Sequence, residues 1–207
     1  MKMNVYIDSF NLYYGCLKKN PSVKWLDISK LCSFLFPKDD IQKINYYTAA
    51  VKLRPNDPDT DKPNRQQIYF RALRTLPNAE LIYGSFLSHT VSMKRVDGKG
   101  YADVIKTEEK GTDVNIATHL VHDAHNKSFE IAVVISNDSD LVEPIRIVTQ
   151  ELTLPVIVVS PFERNSIELK KIASSVRHIR QGVLKVSQFP NILEDDTGQF
   201  TKPSTWK

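Results

Sequence analysis

Two closely spaced aspartates follow a run of five apolar residues in this sequence. Residues 131–135 read Ile-Ala-Val-Val-Ile, and Ser-Asn-Asp-Ser-Asp follows at 136–140. A short apolar run rich in β-branched residues is typical of a strand that is buried on both faces of a parallel sheet. Asp138 and Asp140 therefore come just past the carboxyl end of a strand, where open α/β sheets bind ligands. Two carboxylates this close repel each other unless they share a proton or a cation, which predicts acid–base or metal chemistry.

Two further aspartates occupy comparable positions. Asp8 ends the apolar stretch 3–7, and Asp113 opens a helical pattern near the middle of its apolar arc. That arc is formed by Val114, Ile116, Ala117, Leu120, Val121 and Ala124. Simpler explanations stay open, because Asp8 would serve as a helix cap and Asp113 as a first-turn acid favoured by the helix dipole. The dipole does not explain why a carboxylate lies on the face that becomes buried, where it is costly unless compensated.

Strand patterns alternate along the chain with helical patterns. We predict strands at 3–7, 44–51, 80–83, 131–135 and 154–159, with a short edge strand at 176–179. We predict helices at 25–36, 65–76, 113–126, 141–150 and 165–173. This alternation predicts an α/β fold, namely a three-layer α/β/α sandwich with a central parallel sheet and right-handed crossovers.

The handedness of these crossovers is expected to bring the four aspartates together. A helix between two parallel strands runs antiparallel to them, so the helix that Asp113 opens begins at the carboxyl edge of the sheet. Asp113 then joins Asp8, Asp138 and Asp140 in one cleft. Such a cluster needs cations, and carboxylate oxygens with little nitrogen or sulfur suit Mg²⁺ or Mn²⁺.

The histidines and cysteines are predicted to stay outside this site. His119 and His122 project to the opposite face of the 113–126 helix, towards solvent. The two cysteines, Cys16 and Cys32, give neither a disulfide framework nor zinc-ligand spacing. We expect both to be thiols in a reducing cytoplasm.

A hairpin insertion and a loop are predicted between these elements. Asp-Gly-Lys-Gly at 97–100 joins two strand-like stretches and is a strong hairpin signal, so we place an insertion at about 86–108. Segment 54–64 has three prolines and no apolar residue and is predicted to be a mobile loop. Residues 1–187 are expected to form one domain, and residues 188–207 a polar tail that is ordered only if it docks.

The composition is that of an ordinary globular protein with a mild positive charge. The chain has 207 residues and a net charge of +4, which is compatible with a polyanionic partner and does not establish one. No apolar run approaches the roughly 20 residues of a membrane span, so no membrane partner is expected. The first residues contain no signal-peptide pattern, and a cytoplasmic location is expected.

Three blocks of the sequence resemble NYN domains, in the LabA-like branch of the PIN-like nuclease superfamily. They read Ile-Asp-Ser-Phe-Asn-Leu-Tyr at 7–13, Glu-Lys-Gly-Thr-Asp-Val-Asn at 109–115 and Val-Ile-Ser-Asn-Asp-Ser-Asp-Leu at 134–141. The blocks follow the order seen in the family, and the resemblance covers about residues 3–180. It implies a PIN-like sandwich with strand order 3-2-1-4-5 and metal-dependent cleavage of RNA, or less often DNA.

The resemblance also implies roles for individual residues. The implied acidic metal site comprises Asp8, Asp113, Asp138 and Asp140, with Asn11 and Ser136 as supporting polar groups. One or two Mg²⁺ or Mn²⁺ ions at this site would activate a water for phosphodiester hydrolysis. The cations expected to hold the nucleic-acid backbone are Lys94, Arg95, Lys99, Lys106 and Lys110. Phe10, Tyr13 or Tyr14 could stack a base, although packing is the favoured explanation of each ring.

Two departures from the family pattern and three alternative functions remain. Relatives usually have glycine at the position of Asn137, and many carry cysteines in the hairpin, where this chain has none and no zinc is expected. One alternative is a catalytically weak nucleic-acid-binding or regulatory protein, which retention of all four acids disfavours. The others are phosphohydrolases of the haloacid dehalogenase or Toprim kind. The former lacks support because Asp8 is not followed by a second nucleophile-motif aspartate, and the latter because the first strand does not end in glutamate. A homodimer is left open.

Overall fold

The structure, a computed structural model, describes residues 1–53 and 57–206. Its strands are β1 (Lys2–Asp8), β2 (Asp40–Thr48), β3 (Ala79–Tyr83), β4 (Ser85–Lys94), β5 (Tyr101–Lys110), β6 (Ile131–Ile135), β7 (Val156–Ser160), β8 (Ser175–His178), β9 (Ile192–Asp195) and β10 (Gly198–Thr201). Its α-helices are α1 (Ser9–Leu12), α2 (Ile28–Leu35), α3 (Lys62–Arg74), α4 (Thr112–His125), α5 (Val142–Arg146), α6 (Ile167–Ile172) and α7 (Gln181–Val186). Turns of π-helix extend α1 over Tyr13–Leu17 and α5 over Ile147–Glu151.

Six strands pair in parallel to form the central sheet, in the order β3-β2-β1-β6-β7-β8. Without the hairpin strands, this order reads 3-2-1-4-5-6, which is the order implied by the resemblance with one edge strand added. All five residues of β6 are buried, as its unbroken apolar sequence predicts. The α/β class and the parallel sheet predicted from the sequence are thus confirmed.

The two faces of the sheet carry separate apolar cores. One face packs against α1, α2, α3 and α7 through side chains such as Leu31, Phe70 and Leu184. The other face packs against α4, α5 and α6 through side chains such as Leu120, Ile145 and Leu169. Helices therefore cover both faces, and the carboxyl edge between the two layers is left for a site. None of the helices in the described part of the chain combines the length and apolarity that crossing a membrane requires.

Several predicted boundaries and faces need correction. Helix α3 begins at Lys62, so the last three residues of the predicted 54–64 loop are helical, while 54–56 lie outside the described residues. The cap of α4 is Gly111, whose φ is 98°, so this helix begins at Thr112, one residue before the predicted start. Val114, predicted to belong to the apolar arc, is 67% exposed.

The buried face of α4 is rotated from the predicted one. Its fully buried side chains are Thr112, Ile116, Leu120 and Ala124, and at 100° per residue their centre lies roughly 70° from that of the predicted arc. Asp113 is about 40° from the observed centre and is half-buried. His119 turns towards the sheet, where its Nδ1 lies 3.1 Å from the hydroxyl oxygen of Tyr47. The prediction that His119 faces solvent is therefore wrong, whereas His122 is exposed.

The polar C-terminal segment docks on the core. Strands β9 and β10 form a hairpin, and Arg71 of α3 donates hydrogen bonds to both carboxylate oxygens of Asp195, at 2.6 and 2.7 Å. The same guanidinium lies 4.1 Å from the ring centroid of Phe200, which is 8% exposed. Trp206 packs against Trp25 with 6.2 Å between ring centroids. The C-terminal segment, which we predicted to be ordered only if it docks, is therefore docked on the core.

The docked segment should contribute to global stability. Phe200→Ala removes a buried ring and one partner of Arg71, so we expect the free energy of unfolding to fall by about 3 kcal/mol. Urea denaturation followed by circular dichroism measures this change. Ile192→Ala, in the same hairpin and 59% exposed, is the matched control and should have little effect. Equal stability of Phe200→Ala and the unchanged chain would contradict the docked role.

Candidate metal and nucleic-acid site

The Asp8 carboxylate lies at the centre of the carboxyl edge of the sheet. It ends β1, is 2% exposed and caps α1 by accepting hydrogen bonds from the backbone N–H groups of Phe10 and Asn11 at 3.1 and 3.0 Å. Its second oxygen accepts from Asn11 Nδ2 at 2.6 Å and from Ser136 Oγ at 3.0 Å. Four donors thus satisfy this buried carboxylate and fix its orientation. Asn11 and Ser136, implied as supporting groups by the resemblance, thus both donate hydrogen bonds to Asp8.

Asn137 connects the ends of three strands. Its backbone N–H donates to Asn11 Oδ1 at 3.2 Å, and its side-chain oxygen accepts from the backbone N–H of Ser166 at 2.8 Å. Its side-chain nitrogen donates to the carbonyl of Arg164 at 3.2 Å. The loop after β7 is therefore held by Asn137. Sequence reasoning missed this role because the partners lie more than 20 residues away and follow no periodic pattern.

Asp138 and Asp140 follow β6 in a single turn of 3₁₀-helix. The backbone N–H of Asp138 donates to Ser136 Oγ at 3.1 Å, and Asp138 Oδ1 accepts from the backbone N–H of Asp140 at 3.0 Å. Asp138 is half-buried and Asp140 is exposed. Ser136 thus bonds to both Asp8 and Asp138, which fixes the two acidic segments relative to each other.

Asp113 reaches the same edge from α4. The first turn of α4 is held by the root of the hairpin, which is the end of β5 at Glu109 and Lys110. Glu109 accepts hydrogen bonds from the backbone N–H of Thr112 at 3.2 Å and from its hydroxyl at 2.5 Å. Gly84 lies against this root, because a Cβ there would come within 2.6 Å of the carbonyl oxygen of Lys110. Glu109 therefore anchors the first turn of the helix that carries Asp113, a second role that the sequence analysis did not assign. The sequence signal for this role was the position of Glu109, three residues before Thr112.

The electrostatics of Asp113 reflect both its burial and its acidic neighbours. Burial, with smaller contributions from the charges of Asp8, Asp138, Glu109 and Asp140, raises the pKa of Asp113 to about 6. The pKa of Asp8 is also raised, chiefly by burial and with a contribution from Asp138, against the lowering effect of its hydrogen bonds from Asn11 and Ser136. An acid with a pKa near 6 binds a proton or a cation favourably close to neutral pH.

The acids approach each other without forming a compact ligand set. Among the described residues, no three Asp, Glu, His or Cys side chains lie together as a ready-made metal site. The expectation that Asp8, Asp113 and Asp138 already share one cation position is therefore not met by these side-chain positions. The physical reason is that four hydrogen-bond donors fix the Asp8 carboxylate in place, while the backbone N–H of Asp140 occupies one oxygen of Asp138.

The donor chemistry nevertheless fits a hard divalent cation. Within residues 1–53 and 57–206, the carboxylate of Asp113 accepts no hydrogen bond, and only one oxygen of Asp138 does. Three carboxylate oxygens are thus available at the carboxyl edge, next to further negative charge. Oxygen donors of this kind suit Mg²⁺ or Mn²⁺.

The predicted hairpin cations are largely neutralised by neighbouring acids. Arg95 pairs with Asp97 at 2.8 Å, and Lys106 and Lys110 both pair with Glu108, at 2.6 and 3.1 Å. Lys94 and Lys99 take part in no ion pair within the described residues. The hairpin is therefore a mixed-charge surface rather than a purely basic one.

A different surface combines exposed aromatic rings with cations. Tyr13 is 36% and Tyr14 55% exposed, directly after the turn that carries Asn11. The ammonium of Lys18 lies 4.7 Å from the ring centroid of Tyr14, and that of Lys24 lies 5.5 Å from that of Tyr13. The core-packing explanation of these two rings is therefore wrong. Phe10 is half-buried and packs edge-to-face on Phe86 of the hairpin, at 5.6 Å.

The raised pKa of Asp113 predicts a pH-dependent stability without added metal. Asp113 has a pKa near 4 in the unfolded chain and about 6 in the folded one. As pH rises between these values, the unfolded chain loses this proton first, so the free energy of unfolding falls. Above pH 6 both states are ionised and the penalty is constant. Because the group is half-exposed, we expect Asp113→Asn to raise the free energy of unfolding by on the order of 1 kcal/mol at pH 8 and by almost nothing at pH 4.

Chemical denaturation at the two pH values, with EDTA present, measures this difference. Asp196→Asn, in the exposed turn between β9 and β10, is the control and should leave stability unchanged at both pH values. A clearly less stable Asp113→Asn variant at pH 8 would show that the carboxylate is structural.

Comparisons with known proteins agree with this architecture. A solved structure of a protein of unknown function, VPA0982 from Vibrio parahaemolyticus, superposes with a TM-score of 0.56 over 87% of this chain and 93% of that one, at 20% identity. A curated relative, 6-hydroxy-3-succinoylpyridine 3-monooxygenase HspA of Pseudomonas putida, is 28% identical over 238 aligned positions, covering all of this chain and 75% of the relative. The sequence profile described as NYN domain matches residues 2–180. The chain therefore belongs to the NYN domain family, within the PIN-like nuclease superfamily.

Proposed function

We propose that this protein is a metal-dependent nuclease that hydrolyses phosphodiester bonds, with RNA as its substrate. The observation that supports it most is that Asp8, Asp113, Asp138 and Asp140 come from three segments to one sheet edge, where burial and the neighbouring acids raise the pKa of Asp113 to about 6. Membership of the NYN family adds support, since its superfamily consists of nucleases. A phosphodiester is an anion, and a cluster of carboxylates can approach it only with cations between them.

The proposed mechanism assigns a part to each acid. Asp113 and Asp138, whose oxygens are available, would hold Mg²⁺ or Mn²⁺, with Asp140 at the exposed side. Such an ion, when bound, supplies Lewis-acid stabilisation of the phosphate and an activated water. Asn11 and Ser136 keep the buried Asp8 carboxylate oriented through the bonds at 2.6 and 3.0 Å. Asp8 then adds negative charge at a fixed position, which favours cation binding by its neighbours.

A cleavage assay tests this proposal. Purified protein should cut labelled single-stranded RNA with Mg²⁺ or Mn²⁺, cut DNA less well, and lose activity in EDTA. Asp138→Asn should reduce cleavage by at least about a hundredfold, because it removes a charged ligand. Asp196→Asn should retain full activity. Cleavage that survives both EDTA and Asp138→Asn would overturn the proposal, and RNA binding without cleavage would support a non-catalytic NYN protein instead.

The curated relative supports a second candidate function, hydroxylation of a small pyridine substrate. Its name describes a monooxygenase, and the match extends along the whole chain. This candidate is tested by supplying 6-hydroxy-3-succinoylpyridine, ¹⁸O₂ and a reduced nicotinamide, and analysing the product by mass spectrometry. One labelled oxygen atom in the product, in step with oxidation of the nicotinamide, would favour oxygenation. A third assay, with p-nitrophenyl phosphate, tests the phosphohydrolase alternative.

We expect the nucleic acid to follow the aromatic surface at Tyr13 and Tyr14. Tyr14→Ala removes an exposed ring one helical turn from Asn11 and should weaken single-stranded RNA binding about tenfold, whereas Tyr14→Phe should not. Fluorescence anisotropy in an Asp138→Asn background with EDTA measures binding apart from cleavage.

The cations of the hairpin offer the alternative path for the nucleic acid. Changing Lys94 and Arg95 together to Ala should weaken binding across unrelated sequences and flatten its salt dependence by up to about two phosphate contacts. Loss of affinity in this double variant, with Tyr14→Ala unaffected, would place the path along the hairpin instead. Neither change alters the aspartates, so cleavage at saturating substrate should persist in both.

A further inference from the structure

The hairpin of β4 and β5 stands apart from the two cores. Its ten register pairs run from Ser85 opposite Lys110 to Lys94 opposite Tyr101. Most of its side chains are exposed, including Leu87 at 54%, Met93 at 51% and Ile105 at 61%. An isolated two-stranded ribbon is only marginally stable in water. A partner that covers these exposed apolar side chains would therefore stabilise the ribbon.

The two long edges of this ribbon differ in charge. Strand β5 carries Asp103, Lys106, Glu108, Glu109 and Lys110, and charged side chains of this kind discourage pairing with another strand. Strand β4 has no Lys, Arg, Asp, Glu or Pro between Ser85 and Met93, so its edge lacks those protections. Within the described residues, β4 pairs with β5 and with no other strand. The outer edge of β4 is therefore the surface open to strand addition.

The hydrogen-bonding groups on this edge can be assigned. The backbone N–H of Arg95 donates to the carbonyl of Gly100 across the hairpin at 3.0 Å. Because antiparallel strands alternate in direction, the N–H and C=O groups of every second residue from Lys94 back to Phe86 point away from β5. Thr90 is at the middle of that outward-pointing set.

We propose that the outer edge of β4 pairs with β4 of a second copy of this chain, antiparallel and two-fold symmetric about Thr90. A two-fold axis perpendicular to the ribbon keeps each face on its own side, and it places residues whose numbers sum to 180 opposite each other. Leu87 then faces Met93 of the second copy, Ser88 faces Ser92, and Thr90 faces Thr90. No two like charges meet along the uncharged stretch, and a four-stranded sheet results.

The occupant is a second copy because the edge is complementary to itself. Its apolar side chains, Leu87 and Met93, lie symmetrically about Thr90 and so meet each other under the two-fold axis. The short serine side chains on the other face leave room for close approach. The interface does not depend on the proposed nuclease activity, so its test is independent of that function.

Molar mass from size-exclusion chromatography with light scattering tests the proposal. The full chain at tens of micromolar should elute at twice its mass of 23.6 kDa. The double variant Ser88→Lys with Ser92→Lys places two pairs of like charges across the axis and should be monomeric. These side chains are exposed in the single chain, so circular dichroism should show unchanged folding.

A charge swap tests the register. Ser88→Lys with Ser92→Glu places opposite charges across the same axis and should restore the dimer. A monomeric unchanged chain would overturn the proposal, as would a dimer that persists in the double-lysine variant. A charge-swapped variant that stays monomeric would show that β4 does not pair in this register, and would overturn it as well.

Discussion

Asp8 ends the central strand with a carboxylate that is almost completely withdrawn from water, and four hydrogen-bond donors compensate this burial. Two donors belong to the first turn of α1, one to the side chain of Asn11 and one to Ser136 at the end of β6. Removing any one of these donors would take a hydrogen bond from a buried charged group, which costs roughly 1.5–3 kcal/mol. The turn after β1 and the turn after β6 are therefore constrained by the same carboxylate.

This constraint has an electrostatic consequence for the rest of the edge. Because Asp8 is fixed, Asp113 and Asp138 cannot relieve their repulsion by moving it away. The charges of Asp8 and Asp138 add to burial, the main cause of the raised pKa of Asp113. Crowded carboxylates of this kind lower the stability of the fold and attract positive charge.

The sequence was informative where a periodic pattern determined the structure. The apolar run at 131–135 defined β6, and alternation of strands and helices was sufficient to place Asp8, Asp113 and Asp138 at one edge. The helix face of α4 was less predictable, because two half-buried polar side chains, His119 and Asp123, belong to its buried side. Asp123 accepts a hydrogen bond from the hydroxyl of Tyr6 at 2.7 Å, a tertiary contact that hydrophobicity does not reveal. The same limit applies to Asn137, whose partners come from a distant loop.

The contact between Glu109 and Thr112 links the hairpin to the first turn of α4. A ten-residue ribbon is about 30 Å long, and its root is bonded to the first turn of the helix that presents Asp113. A long arm joined to a short one works as a lever, so a displacement of several ångströms at the tip corresponds to a small rotation at the root. Because the end of β5 is bonded to the first turn of α4, a change in the direction of the ribbon would also reorient the carboxylate of Asp113.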